Sequence, residues 1–178
     1  MKFTWDRNTE ITAADIPELT KEILFSGGFD KPIGHNILPE SLKSIEFGKH
    51  FNQPIRENVL PNSLISIDFG WKFNQQIGEN VLPNSLKILK FGNNFNQPIG
   101  ENVLPDSLKI LKFGRYFDRP IDENVLPNRL EFIRFGCGFN QLICENVLPK
   151  FIKRIDFGYE YGHSSSAYNY SILDTSVI

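Results

Sequence analysis

The chain has 178 residues, of which 40% are hydrophobic, and it contains 16 Phe but only one Met and two Trp. Chains of about 150 residues bury roughly two-thirds of the surface that they expose when unfolded, so this length suits one domain with a real core. The 19 basic and 21 acidic residues give a formal net charge of −2. Because no broad cationic surface and no long apolar segment are present, we expect neither a nucleic-acid nor a membrane partner.

The N-terminal residues contain no apolar segment of the kind that directs secretion. This predicts a cytoplasmic protein. The two cysteines, Cys137 and Cys144, have neither CxxC nor Cys/His spacing, and the three histidines share no common phase. We therefore expect no disulfide framework, no metal site and no cofactor.

Residues 1–15 are predicted to form an N-terminal cap. Phe3 and Trp5 alternate with polar residues there, and residues 6–8 favour a turn. We therefore expect a short hairpin over the first coil of the segment that follows, since the ends of a repeat array need a cover.

Two columns of aromatic residues account for most of the phenylalanines, and they divide residues 16–163 into seven repeats. The first column recurs every 22 residues, and the second follows it by four positions: Phe25, Phe47, Phe69, Phe91, Phe113, Phe135 and Phe157, then Phe29, Phe51, Phe73, Phe95, Phe117, Phe139 and Tyr161. A period of this length is typical of solenoids, in which each coil buries its apolar side chains against the next coil.

Each repeat predicts one short strand. Leu86, Leu89 and Phe91 have the spacing of the strand of a leucine-rich repeat, and Leu89 and Phe91 point to the same face because they are two residues apart. Pro83 cannot donate to a sheet ladder, and Gly92 ends the strand at a turn. The strand therefore lies between these two residues.

The segment that returns to the next strand, such as residues 95–102, contains Pro, Gly and Asn and is a poor helix. One asparagine column in it is expected to bond backbone groups of its own turn and of the neighbouring coil. These residues are Asn36, Asn58, Asn80, Asn102, Asn124 and Asn146. The predicted fold is an all-β-rich, leucine-rich-repeat-like parallel β-solenoid with irregular return arms.

Residues 164–178 do not continue the repeat. A polar run is followed there by Ile172, Leu173 and Val177, which are apolar enough to cover the last coil. A C-terminal cap and a free tail are both consistent with this segment.

The sequences Phe-Asn-Gln-Pro-Ile at 51–55 and 95–99, and Phe-Asn-Gln-Gln-Ile at 73–77, resemble the FNIP repeat. Together with Leu-Pro-x-Ser-Leu-Lys-x-Leu-x-Phe-Gly, the resemblance extends over residues 16–163. FNIP proteins occur in social amoebae and giant DNA viruses and are regarded as leucine-rich-repeat-like interaction proteins. If the sequence is viral, the predicted location is the host-cell cytoplasm. The resemblance implies a non-catalytic module that binds a partner protein.

Some viral members of that family carry an N-terminal F-box that recruits a ubiquitin ligase. Only 15 residues precede the first repeat here, so the resemblance does not extend to an F-box. A substrate-presenting component of a ubiquitin-ligase assembly, acting through a separate adaptor, is therefore the alternative function.

The positions that differ between repeats indicate where a partner would be recognised. Two outward columns of the strands are small and acidic in the second and third repeats, then apolar and cationic in the fourth to sixth. The predicted partner-binding residues are Ile88, Lys90, Ile110, Lys112, Phe132 and Arg134, with Trp71, Arg115 and Tyr116 at the margin. An ordinary solvated sheet surface is the alternative, and the oligomeric state stays open.

Other chemistry has little support in the sequence, and we expect the protein not to be an enzyme. The enzymatic alternative is a site in the C-terminal tail, where Cys144, His163 and residues 164–166 are available. A column of glutamates in the return arms is expected to be a solvated edge, with contact to a cation or a basic partner as the alternative. Its members are Glu57, Glu79, Glu101, Glu123 and Glu145.

Overall fold

The computed structural model describes residues 1–158 and contains one parallel sheet of eight short strands. The strands are β1 (Lys2–Trp5), β2 (Glu22–Phe25), β3 (Ser44–Glu46), β4 (Ser66–Asp68), β5 (Ile88–Lys90), β6 (Ile110–Lys112), β7 (Phe132–Phe135) and β8 (Arg154–Phe157). Each strand pairs with the next strand along the chain. The predicted parallel β-solenoid with irregular return arms is confirmed, and the predicted C-terminal cap or tail lies outside the described residues.

Equivalent residues of successive coils lie opposite one another in the sheet. Ile67 pairs with Leu89, and Leu89 pairs with Leu111, so that from β2 onward the register equals the 22-residue sequence period. Neighbouring strands lie about 4.8 Å apart. Each column of the sequence therefore becomes a physical row that runs along the solenoid.

The N-terminal residues form a further parallel strand, and the predicted hairpin is wrong. Lys2 pairs with Glu22 and Trp5 with Phe25, so the offset between β1 and β2 is 20 residues. The backbone carbonyls of Met1 and Trp5 accept hydrogen bonds from the first coil, and the Trp5 side chain is buried. The parallel strand β1 thus pairs with the backbone hydrogen-bonding groups at the edge of β2 and covers the apolar end of that coil.

The core consists of the two phenylalanine columns and the aliphatic side chains beside them. Within a coil, the two rings stack with centroids 3.8 Å apart at Phe91 and Phe95, and 4.0 Å apart at Phe69 and Phe73. Between coils, the ring of Phe69 lies 5.7 Å from that of Phe91. Fully burying one such side chain contributes about 1.5–3 kcal/mol, so this double stack is a large part of the stability.

The glycines that follow the strands are required because adjacent coils approach closely. A Cβ atom on Gly92 would lie 2.0 Å from the carbonyl oxygen of Gly70, and one on Gly114 would lie 2.2 Å from that of Gly92. The turn predicted after each strand is present, but neither glycine has the positive φ that some turns need. The same approach occurs at Gly48, Gly70 and Gly136.

A ladder of side-chain amides and carboxylates joins successive return arms. The Oδ1 atom of Asn52 accepts a hydrogen bond from the backbone N–H of Asn74 at 2.8 Å, and that of Asn74 accepts one from Asn96 at 2.9 Å. Asp30 and Asp118 occupy the same position in other coils and accept in the same way. This ladder comes from the Asn of the Phe-Asn-Gln motif.

The asparagine column that was predicted to make such bonds has a different role. Asn36, Asn58, Asn80, Asn102 and Asn124 all have φ between 58° and 64°. Asparagine tolerates this left-handed conformation better than most residues with a side chain. Among the described residues these five side chains donate and accept no hydrogen bond, so they serve the turn. Asn146, the sixth member of the column, instead donates to the Glu123 carboxylate of the preceding coil.

Serine hydroxyls make a second row of bonds between coils just before the strands. The Oγ atoms of Ser63 and Ser107 donate to the backbone carbonyls of Leu42 and Leu86, both at 2.6 Å. These carbonyls lie outside the strand ladder, and a buried carbonyl without a partner is costly. The row therefore extends the connection between coils beyond the three-residue strands.

We expect Gly92→Ala to destabilise the protein by about 3 kcal/mol or more, because the new Cβ meets rigid backbone in the preceding coil. Gly100→Ala is the matched control, since its Cβ would lie 3.9 Å from the nearest atom, a side-chain methyl of Val103. Its free energy of unfolding should stay within about 1 kcal/mol of wild type. Urea denaturation followed by circular dichroism measures both, and equal effects would contradict the close approach.

We expect Asn74→Ala to cost about 1–3 kcal/mol, because the N–H of Asn96 loses its acceptor between two coils. Asn74→Asp keeps an oxygen at this position, as Asp30 and Asp118 do in their own coils. It should therefore cost less than about 1 kcal/mol. The same denaturation experiment measures both variants. An equal loss of unfolding free energy in Asn74→Asp and Asn74→Ala would refute the ladder's role.

Candidate strand-face interface

The predicted binding residues of the strands form two rows on the outward face of the sheet. We call them the apolar row (Ile88, Ile110 and Phe132) and the cationic row (Lys90, Lys112 and Arg134), and together the strand-face patch. Within each row, the residues lie directly opposite one another on β5, β6 and β7. Successive side chains of a strand point to opposite faces of the sheet. The intervening Leu89, Leu111 and Ile133 are completely buried, so the residues of both rows point outward.

The two rows interact with each other at Phe132. The Nζ atom of Lys112 lies 5.6 Å from the centroid of the Phe132 ring, and the guanidinium carbon of Arg154 lies 5.6 Å from the same centroid. Cation–π contacts at exposed sites stabilise by about 0.5–1 kcal/mol. The phenyl ring is thus held on the face between two cations.

Carboxylates lie at both ends of the cationic row. Asp68 accepts from the Nζ atom of Lys90 at 3.2 Å, on the side of β4. On the side of β8, Asp156 pairs with Arg134 in the sheet but accepts from the Nε atom of Arg154 at 2.7 Å. Among residues 1–158, neither Lys112 nor Arg134 forms an ion pair, so the charge of the cationic row is uncompensated at these two residues and compensated at Lys90.

A bridging carboxylate borders the apolar row at the start of the strands. Glu131 accepts from the Nζ atom of Lys109 at 2.5 Å and from that of Lys153 at 2.7 Å. These two hydrogen bonds, the one from Lys109 being the stronger influence, lower the pKa of Glu131 to about 2. The carboxylate therefore stays ionised and links the coils of β6, β7 and β8 across the face.

The three residues predicted at the margin lie in the turns after the strands, beyond the glycines. Trp71 and Tyr116 are each about half exposed, at 50% and 51%. Lys49 lies over the indole ring of Trp71 at 5.8 Å, and Arg115 lies over the ring of Tyr116 at 5.5 Å. The coil of β5 separates the two groups, so the structure does not bring Trp71 together with the other two residues.

The described part of the chain offers little else for chemistry. No group of three or more His, Cys, Asp or Glu side chains in residues 1–158 is arranged to hold a metal ion. Cys137 and Cys144 are exposed free thiols. The tail residues that the enzymatic alternative needs, His163 and 164–166, lie outside the described range.

Four of the return-arm glutamates have side chains exposed to solvent. Glu57, Glu79, Glu101 and Glu123 are exposed at the edge of the solenoid. The Glu123 carboxylate accepts a hydrogen bond from the side chain of Asn146 at 3.3 Å.

No helix within residues 1–158 is long and apolar enough to cross a membrane.

We expect the Glu131 carboxylate to titrate at about pH 2, well below the ordinary value of 4.5. Because the folded pKa is lowered, the stabilisation is complete above about pH 4.5 and is lost as the pH falls toward about 2. Carbon-13 NMR of the carboxyl group measures the midpoint directly. In a Lys109→Met, Lys153→Met double variant it should return toward 4.5, and a normal midpoint in the wild type would rule out the bridge.

The comparisons with known proteins agree with this architecture. The model of the FNIP repeat matches residues 8–50, 51–94 and 95–138. Among solved structures, the chain is similar to CroV588, described as a novel circular LRR protein, with 54% sequence identity and a TM-score of 0.85. The similarity covers 88% of this chain but only 23% of CroV588. No curated protein matches the sequence. The repeats, the parallel sheet and the match over most of its length establish that this chain belongs to the FNIP repeat family.

Proposed function

We propose that the protein is a non-catalytic interaction module that binds a protein partner through the strand-face patch. The proposal is supported by the fold, since repeat solenoids present extended surfaces that suit protein partners. The observation that carries it is the cationic row, in which three like charges lie in register on neighbouring strands.

Such a row does not help the fold. Like charges directly opposite one another on adjacent strands are destabilising. Of the three members of the row, only Lys90 has a carboxylate partner among the described residues. The core, the glycines after the strands, the ladder of side-chain amides and carboxylates and the serine row already explain how the coils stack. A partner with negative charge would relieve the repulsion, and the apolar row beside it would supply contact area that excludes water.

The same surface would serve a substrate-presenting component of a ubiquitin-ligase assembly. In that case a separate adaptor would have to occupy a second surface of the solenoid. Affinity capture distinguishes this function from a simple binding module. A ligase adaptor would remain bound when the strand-face patch is altered.

Affinity capture from the native cell tests the proposal with three versions of the full chain. The patch variant is Lys90→Glu, Lys112→Glu, Phe132→Ala. The matched control variant, Lys43→Glu, Lys72→Glu, Ile65→Ala, makes the same charge change and also truncates an apolar side chain on exposed residues of the preceding coils. We expect wild type and control to retain a partner that the patch variant loses.

Circular dichroism and thermal unfolding must first show that all three versions are folded. A folded patch variant that retains every partner of the wild type contradicts the proposal. That result would direct attention to the exposed glutamates of the return arms or to the turns near Trp71.

A further inference from the structure

We propose that the strand-face patch binds a short acidic helix, whose carboxylates pair with the cationic row and whose neighbouring apolar side chains cover the apolar row. This inference rests on the proposed function and specifies the chemistry of the partner. It follows from the charge, the size and the spacing of the patch.

The charge of the patch favours an acidic segment of limited length. Lys112 and Arg134 have no carboxylate partner among the described residues, while Asp68 and Asp156 stand at the two ends of the row. A long polyanion such as a nucleic acid would pass over both of these carboxylates, which already pair with Lys90 and Arg154, and would find no unpaired cation in this column beyond the row. The apolar row also offers nothing to a phosphate backbone.

The size of the patch favours a short linear segment over a folded domain. Three neighbouring strands place the outer members of each row about 10 Å apart, and the two rows are separated by about 7 Å along the strand. A standard interface between folded proteins buries about 800 Å² on each partner, which is much larger. Two or three turns of peptide are enough to cover the strand-face patch.

The spacing of the rows favours a helix that lies along the solenoid axis. The rows repeat about every 4.8 Å, and a helix presents one side chain to the same face about every 5.4 Å, at intervals of three or four residues. An extended peptide presents one about every 6.7 Å and loses register by the third row. Carboxylates at positions i, i+3 or i+4, and i+7 therefore match Lys90, Lys112 and Arg134.

The apolar row supplies the second half of the recognition. Ile88 and Ile110 are half-buried, and the Phe132 ring is held in place by Lys112 and Arg154. A second stripe of leucine or aromatic side chains on the helix would cover this row. Removing water from the adjacent ion pairs lowers the local dielectric and strengthens them.

A phage-displayed library of random 16-residue peptides, selected on the immobilised full chain, tests the inference. Clones that also bind a Lys90→Gln, Lys112→Gln, Arg134→Gln variant are removed in a counter-selection. We expect the remaining peptides to carry Asp or Glu at helical spacing beside a stripe of apolar residues. Synthetic copies should become helical on binding, as measured by circular dichroism.

Fluorescence anisotropy then gives the affinity of the selected peptides for each variant. We expect the neutral patch variant to bind at least about tenfold more weakly, because the carboxylates lose their charged partners. Raising the ionic strength should weaken wild-type binding in the same direction. A Lys21→Gln, Lys43→Gln, Lys72→Gln control on exposed residues of the preceding coils, with the same change in charge, should bind within about twofold of wild type.

Several outcomes overturn the inference. They are an empty selection, enriched peptides that lack carboxylates or carry them at two-residue spacing, tighter binding of a single-stranded oligonucleotide, and a patch-dependent dimer in sedimentation equilibrium. If affinity capture still finds a partner that depends on the patch, the proposed function stands and only the acidic helix is wrong. If capture shows no dependence on the patch, both fail together.

Discussion

The backbones of neighbouring coils come so close at the end of each strand that no β-carbon fits between Gly70 and Gly92. This contact sets the distance between coils, and the remaining columns depend on it. At that distance the phenylalanine rings of successive coils stack in parallel, and the side chain of Asn74 reaches the backbone of the next return arm. A wider gap would leave the rings without their neighbours and the amides without their donors.

Stacking restricts the residue types at almost every position of the coil except those on the outward face of the strand. The inward positions are filled by Leu89, Leu111 and their equivalents, the strand exits by glycine, and the return arms by the amide ladder. The two outward columns of the strands make no comparable contribution, and over the whole array their residues differ among the coils. A row of like charges can persist there because the cost is small compared with the burial of two phenylalanines in every coil.

Most of the fold could be predicted because the period of the sequence equals the register of the sheet. The 22-residue spacing places each strand, and the alternation within it separates Leu89 from Lys90. β1 could not be predicted from the period, because its offset from β2 is 20 residues and not 22. The two asparagine columns could not be told apart from sequence, since a left-handed turn and a ladder between return arms both favour a short amide side chain. The strand-face rows were predictable. The position of Lys112 over Phe132 and the bridge at Glu131 were not, because they depend on the conformations of long side chains, which the repeat pattern does not fix.

The in-register stacking also limits how such a molecule can change its length in evolution. Losing or gaining one residue within a strand would turn the side chains that follow it in that strand to the opposite face and place charges in the core. Duplicating or deleting a whole coil leaves all the columns intact and adds or removes one line of outward residues. The family can therefore grow by complete units, and each duplication lengthens the outer surface by one strand whose two outward side chains are then free to diverge.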